Sequence, residues 1–406
     1  MIDTATHGLP AGEDEVEKRP ISVAHVAQLD EDAVSGVVGT ASGVDRTVSG
    51  LLAHLGAFGV VPEFWNLSHD HGNVSETTLG AIRNVTLPAH ERSRSALFGL
   101  PEATRRFLDE RRTEVDLLHL HSVFIPDNVW VAKRSELPYV ITPHGGYSPE
   151  VLHGRNRFLK TAWSWMHERK YVEGARLVQA VSPRELDQLR ATFEIDTLMF
   201  APNAIELPVE TVTPQQRMSI SPKRIAFMGR LAIDHKGLDV LLQGYAGYVS
   251  SRGGAGSELI VAGPDFRSGR AQLEALAASL LPRGGVRFAG PLFGEDKDAL
   301  LRSARVFVHT SRWEGMPFAV LEALATGCPV LLTPATNLGD VVEEYGAGVV
   351  VEGTAEAVGK GIGRILEMPS DRYAAMCLAA QRLASERFTW PKVAEQVAAA
   401  YRVILE

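Results

Sequence analysis

Along most of the chain, short runs of β-branched and other apolar residues alternate with longer stretches whose apolar positions recur at helical spacing. That alternation is the signature of βαβ units around a parallel sheet, and it predicts an α/β protein. The runs predict strands at Ile21–Leu29, Val61–Leu67, Leu117–His121, Tyr139–Thr142, Leu177–Val181 and Leu198–Ala201, which make one Rossmann-like domain. A turn-rich stretch, Pro202-Asn203-Ala204 through Pro208, Pro214 and Pro222, reads as a linker. Strand runs then restart at Arg224–Met228 and continue at Leu259–Ala262, Val286–Ala289, Val306–Thr310, Val330–Thr333 and Val349–Val351, a second Rossmann-like domain. Beyond Met368 only helical spacing remains, and Trp390-Pro391 suits the start of the last helix, Lys392 to Leu405. The expected organisation is a tail over 1–20, an N-terminal domain over 21–207, a C-terminal domain over 208–390 and a closing helix over 391–406.

Composition agrees with two domains, because 406 residues at 45% hydrophobic content exceed what a single core usually holds. A net charge of -8 argues against attachment to nucleic acid or anionic lipid by overall charge, and no nucleic-acid partner is expected. Cys328 and Cys377 are too few for a disulfide framework and fit a reducing compartment, so the expected location is cytoplasmic. The first twenty residues contain no apolar core of a secretory signal and read as a disordered acidic tail. No apolar run approaches the roughly eighteen residues that span a bilayer. Peripheral contact at the inner membrane face stays open, since Arg155, Arg157, Lys160, Arg169 and Lys170 are interleaved with Phe158, Trp163 and Trp165. This stretch could face an anionic membrane or a phosphate-bearing acceptor. The favoured reading is a helix that packs its aromatic face on the sheet and leaves its cations in water.

The most informative segment is Glu314-Gly315-Met316-Pro317-Phe318-Ala319-Val320-Leu321-Glu322, which follows a buried strand and starts a helix at proline. Amides around Gly315, Met316, Pro317 and Phe318 would sit at a helix N-terminus, where unpaired donors and the dipole favour a phosphate or sugar hydroxyls. Gly315 lets a backbone come close. The two carboxylates bracket the turn and can hold different parts of one extended ligand, although an ordinary strand, turn and helix with two solvated glutamates has the same spacing. Elsewhere, His144-Gly145-Gly146 closes a predicted strand, at the strand end where open α/β sheets bind ligands. Ser35 to Gly43 forms a glycine-rich turn between the first strand and a helix near Val44, where a backbone could approach a phosphate or acceptor.

Together these segments resemble the retaining family four glycosyltransferases, whose E-x7-E motif matches Glu314 and Glu322. The resemblance implies the GT-B fold: two facing Rossmann-like domains with an interdomain cleft, the N-terminal one binding acceptor, the C-terminal one binding nucleotide-sugar, and a last helix returning to the N-terminal domain. It implies that Glu314 contacts the donor sugar and Glu322 the ribose, roles that suit carboxylates accepting hydroxyl donors. Arg230…Lys236-Gly237 resembles the family's GR…KG segment, whose cations clamp the donor diphosphate without a metal. His144 and Gly145 match the HG segment at the cleft mouth, which puts His144 beside the anomeric centre. Gly43 matches the second glycine of the family's glycine pair, with Ser42 in place of the first, and Arg46 follows it. Ala204 stands where the family usually has glycine, and Asp340 where it often has glutamate. The implied activity is hexosyl transfer from a nucleotide-diphosphate sugar to a glycan, lipid-linked or small-molecule hydroxyl acceptor, in glycan, polysaccharide or glycolipid biosynthesis, with no cofactor. A GT-B epimerase, a phosphorylase or a non-catalytic nucleotide-sugar binder is the alternative.

Other constellations are set aside. His119 and His121 share a strand face but lack a third ligand for a metal, and His69 with His71 lies in a polar loop. Asp30, Glu31 and Asp32 read as a solvated loop. Gly359, Gly361 and Gly363 lack a β–turn context and read as relaxing a helix.

Overall fold

The computed structural model describes residues 19–29, 42–90, 99–148, 152, 161–252 and 256–406. The tail through residue 18, the acidic cluster Asp30–Asp32, the turn from Ser35 to Ala41, and Arg155, Arg157, Phe158 and Lys160 lie outside them.

Two sheets carry the chain. The first has eight strands in the order β3-β4-β2-β1-β5-β6-β7-β8, the second six in the order β11-β10-β9-β12-β13-β14. In the first, β1 is Ile21–Ala27, β2 Val60–Ser68, β3 Ser75–Leu79, β4 Ile82–Pro88, β5 Leu117–His121, β6 Tyr139–Thr142, β7 Leu177–Ala180 and β8 Leu198–Phe200. In the second, β9 is Lys223–Met228, β10 Ser257–Ala262, β11 Val286–Gly290, β12 Ala304–His309, β13 Val330–Leu332 and β14 Gly348–Val350. The strand order reverses beside β1 and beside β9, the doubly wound pattern that opens a crevice at the strand C-termini. Central strands such as β5 and β12 are buried at every residue, as sheets covered on both faces require.

Every expected strand is present to within a few residues, and one feature was missed. β3 and β4 form an antiparallel edge hairpin joined at Gly80-Ala81, with Gly80 at φ 61°. The first sheet is therefore parallel except at this edge. β3 is Ser-Glu-Thr-Thr-Leu and nearly all exposed, so no apolar run marks it.

The chain passes between the sheets twice at one place. Ile205, beyond the first sheet, bridges in parallel to Thr389, and its amide donates to Phe388 O at 2.8 Å. The last helix, Trp390–Leu405, has Pro391 in its first turn and lies against the Gly43–Leu55 helix of the N-terminal half. Gly50 makes that contact possible: a Cβ there would fall 2.0 Å from the Trp390 ring. Gly359 and Gly361 likewise allow close packing, against Gly244 O and Leu331, rather than loosening their helix as expected.

In the basic aromatic stretch, Trp163 is buried and its indole donates to Glu168 at 2.7 Å, whereas Trp165 is 82% exposed. Only part of its aromatic face packs. None of the described helices is long and apolar enough to cross a membrane.

Candidate functional site

The functional residues expected in the C-terminal half sit beyond the C-terminal ends of β9 and β12. After β9, Gly229 and Arg230 lead into a short helix, Ile233–Lys236, capped by Gly237 in the left-handed region. A Cβ on Gly237 would meet Thr310 O at 2.1 Å, so the glycine lets the turn after β12 close onto the Lys236 turn. Thr310 Oγ1 completes that contact by donating to Lys236 O and Gly237 O. After β12, Glu314, Gly315, Met316 and Pro317 precede the helix Phe318–Ala325, with Pro317 as its N-cap.

This packing brings Lys236 and Glu314 together: the Lys236 ammonium donates to Glu314 Oε1. Ser311 Oγ donates to the same oxygen at 2.6 Å, and His309 Nε2 lies 3.0 Å from it. Burial would raise the Glu314 carboxyl, but Lys236 and the His309 hydrogen bond outweigh it and hold it below the usual carboxylate range. Glu314 is thus an ionised hydroxyl acceptor near neutral pH rather than a proton donor. His235 stacks on Trp313, and burial, with the Lys236 charge, lowers it to about 4. Arg230 contributes to that fall, stays exposed, and lies over the Phe266 ring at 4.9 Å. Asn337 Nδ2 donates to Glu314 O and Gly315 O at 2.5 and 3.0 Å, which fixes the backbone at the motif's start.

Glu322 lies apart from Glu314, with cations of its own. Arg46 Nη2 and Lys297 Nζ donate to its Oε1 at 2.6 and 2.7 Å, and Arg46 lies 4.2 Å over the Phe318 ring. These residues line a cleft of about 820 Å³ shared with Gly229, Gly263 and Trp390. Glu314 and Lys236 do not line it, but Gly229 joins the regions, since a Cβ there would lie 3.9 Å from Lys236 Cε. A cleft of about 990 Å³ lies elsewhere, against Tyr248, Arg364 and Arg372, and holds none of the motif residues.

The N-terminal half closes the site from the other side. Gly43 opens its helix behind Ser42, which caps it reciprocally with Asp45, and a Cβ on Gly43 would meet the Phe318 ring at 3.8 Å. Serine at position 42 therefore works as a helix cap. Asn203 bridges the halves: its Oδ1 accepts from Thr47 Oγ1 at 2.9 Å and its Nδ2 donates to Met316 O at 3.0 Å. The His144-Gly145 turn abuts Gly315, with a Gly145 Cβ only 3.2 Å from Gly315 Cα. His144 has φ 54° and Gly145 φ 80°, and the histidine is a strained left-handed residue at a predicted site. Glu185 holds the turn by accepting the Gly145 N–H at 2.6 Å.

His144 Nε2 lies 3.1 Å from His121 Nδ1, and His121 Nε2 lies 3.0 Å from His25 Nδ1. The sequence offered no third partner for His119 and His121; the register of β1 on β5 supplies His25, with one ligand atom of each within 4.8 Å of the others. Both nitrogens of His119 are engaged, by Tyr401 OH at 2.6 Å and Thr142 Oγ1 at 2.7 Å.

Sequence reading missed Lys297, His309, Ser311, Asn337 and Glu185. His309 and Ser311 flank the end of β12 just before Glu314, a strand-end position that could have flagged them. Lys297, Asn337 and Glu185 come from separate helices and turns and carry no local mark.

The comparisons with known proteins follow the same division of the chain. The family described as "Glycosyltransferase Family 4" matches residues 41–207, and that described as "Glycosyl transferases group 1" matches 222–368. A D-inositol 3-phosphate glycosyltransferase of Corynebacterium urealyticum is 32% identical over 187 residues, 45% of this chain and 43% of that protein. Mannosylfructose-phosphate synthase of Agrobacterium fabrum is 27% identical over 247 residues, 57% of this chain and 54% of that protein. The chain thus spans about half the length of these curated relatives. Among solved structures, sucrose-phosphate synthase from Thermosynechococcus elongatus superposes with a TM-score of 0.73 at 20% identity, covering 95% of this chain and 99% of that one. Anabaena HepE, solved with UDP and glucose, gives a TM-score of 0.69 at 16% identity over 94% of this chain and 100% of that one. At such identities the likeness is one of fold. Each half of the chain thus carries a glycosyltransferase family match, of family 4 type over 41–207 and of group 1 type over 222–368, on the GT-B fold.

Proposed function

We propose that this chain transfers a sugar from a nucleotide-diphosphate sugar to a hydroxyl acceptor with retention of anomeric configuration. The observation that carries the reading is the ionised Glu314, held by Lys236 and followed by Gly315, which packs on the His144-Gly145 turn across the two halves. In this reading Arg230, Lys236 and the backbone N–H groups of Gly315, Met316 and Phe318, in the turn bent by Pro317, receive the diphosphate, Glu314 accepts hydroxyls of the sugar, and Glu322 accepts those of the ribose. The acceptor oxygen bonds to the anomeric carbon as the bond to the diphosphate breaks. The electron pair leaves on the diphosphate oxygen, which takes the acceptor's proton on the same face. Positive charge preorganised at that oxygen lowers the barrier, and no side chain need form a covalent intermediate. Cations on the chain itself supply that charge, so the reaction is expected to persist in EDTA. The names of the relatives above, which act on inositol phosphate or make sugar phosphates, fit a small-molecule acceptor as well as a glycan or lipid-linked one. The half-packed stretch with exposed Trp165 is where a lipid-linked acceptor would bring a membrane near.

The test begins with a screen of nucleotide sugars by thermal shift, followed by transfer assays with and without acceptor. Lys236→Ala should lower transfer by about a hundredfold while circular dichroism stays that of the folded protein. Near-normal turnover would refute the role of Lys236. Glu314→Ala should weaken transfer far more than binding of the bare nucleotide, and equal losses would refute the division between sugar and nucleotide contacts. An epimerised sugar from donor alone would point instead to an epimerase.

A further inference from the structure

A row of imidazoles runs from the core of the first sheet to the cleft. His25 on β1 is in register with His119 on β5, and His121 follows two residues on, so all three share one face of the sheet. None of the three has solvent exposure. His121 is the middle link, 3.0 Å from His25 Nδ1 through its Nε2 and 3.1 Å from His144 Nε2 through its Nδ1. His119 stands beside this row as a spacer, stacked on His121 at 4.2 Å between ring centres, with both its nitrogens engaged elsewhere. Burial lowers His25 and His144 to about 3, and burial with the neighbouring imidazoles lowers His121, so the row is uncharged near neutral pH.

A neutral imidazole has one N–H and one bare nitrogen. The protons in such a row must all point the same way, and two directions exist. The inner end decides between them, because His25 Nε2 is buried and has no hydrogen-bond partner among the described residues. If the protons ran inward, that nitrogen would carry a buried N–H with nothing to accept it. If they run outward, it carries only a lone pair, the cheaper of the two omissions. His25 Nδ1–H then donates to His121 Nε2, His121 Nδ1–H donates to His144 Nε2, and the His144 proton is left on Nδ1.

We propose that His25 and His121 are positioning residues that hold His144 as its Nδ1–H tautomer, so that it offers a hydrogen-bond donor to an oxygen of the bound substrate. The tautomer follows from the row alone, whereas its use in sugar transfer rests on the function proposed above. The experiment separates the two. Nitrogen-15 NMR of histidine-labelled, substrate-free protein at neutral pH should show His144 and His121 protonated at Nδ1 and bare at Nε2. His121→Phe, which keeps a ring in the stack but cannot donate, should release His144 to both tautomers. His121→Asn places an amide donor where Nδ1 was and should preserve the signature, as should His25→Asn. In transfer assays the phenylalanine variant should lose about tenfold in kcat with little change in donor KM, part of what a proton-handling group at a reacting centre supplies, and the asparagine variant should recover most of it. A His144 proton on Nε2 in the unsubstituted protein, a charged His144, or tightly bound stoichiometric zinc displacing the hydrogen bonds would overturn the proposal. A protein that transfers no sugar yet shows the outward tautomers would sink the transfer reading and leave the row's polarity standing.

Discussion

Glu185 shows how a single side chain behind the site can set a property of the protein. Its Oε1 accepts the Gly145 N–H at 2.6 Å and its Oε2 accepts the Val181 N–H at 2.8 Å. Burial pushes the carboxyl up to about 7 even though both amide donors favour the anion. A carboxyl whose folded value exceeds its unfolded value, roughly 4.3, binds its proton more tightly in the folded state. The stability it contributes is fully present below the unfolded value and is lost as pH rises through about 7. Denaturant unfolding between pH 5 and 7 should therefore show stability falling with rising pH, by up to about 1.4 kcal/mol per pH unit from this group. Glu185→Gln should flatten the slope, and an unaltered slope would exonerate the residue. Glu314 has the opposite character, because Lys236 and His309 hold it ionised. Two glutamates of one site thus differ in charge preference because one faces the Lys236 cation and the other, buried as deeply, only amides.

At the scale of elements, the closing helix Trp390–Leu405 joins the site's scaffold to the rest of the chain. It buries Trp390, Val393, Val397 and Tyr401, a stripe at helical spacing that the sequence displays openly. What that stripe packs on is not displayed. Tyr401 OH reaches His119 Nδ1 at 2.6 Å across 282 positions of sequence, and both residues are fully buried. Tyr401→Phe should lower stability by about 1–3 kcal/mol, since His119 Nδ1 would be left without a partner in the interior. Equilibrium unfolding measures this, and a change under half a kcal/mol would mean that water or a rotated ring replaces the bond. The β3–β4 hairpin makes the converse point. β3 holds on by backbone pairing at an exposed edge, and β4 buries Val85 and Leu87 singly between polar residues, so neither strand carries the continuous apolar run that revealed the others.

For the molecule as a whole, the decisive geometry is where the halves meet. The chain crosses at Ile205 and again at Phe388–Thr389, side by side, and Asn203 fastens the Thr47 helix to Met316 nearby. Gly145 and Gly315 touch across the same seam. Asn203→Ala should loosen this fastening, lowering kcat/KM for the donor about tenfold, the factor that 1.4 kcal/mol represents. Asn203→Asp keeps the acceptor for Thr47 but not the donor to Met316, so it should fall between. Steady-state kinetics reads both, and full activity in the alanine variant would show that the seam is set elsewhere.

The order of elements outside the β3–β4 hairpin, the two Rossmann-like halves and the positions of Glu314 and His144 beyond strand ends could be read from the chain alone. They depend on apolar periodicity, proline and glycine placement and short spacing, which are local quantities. Tertiary structure alone decided that Lys236 pairs with Glu314 rather than standing free, that Arg46 and Lys297 converge on Glu322, and that His25 completes a row ending at His144. Those partners come from strands and helices far apart in sequence. Register and packing bring them together, and neither leaves a trace in the spacing of any one segment.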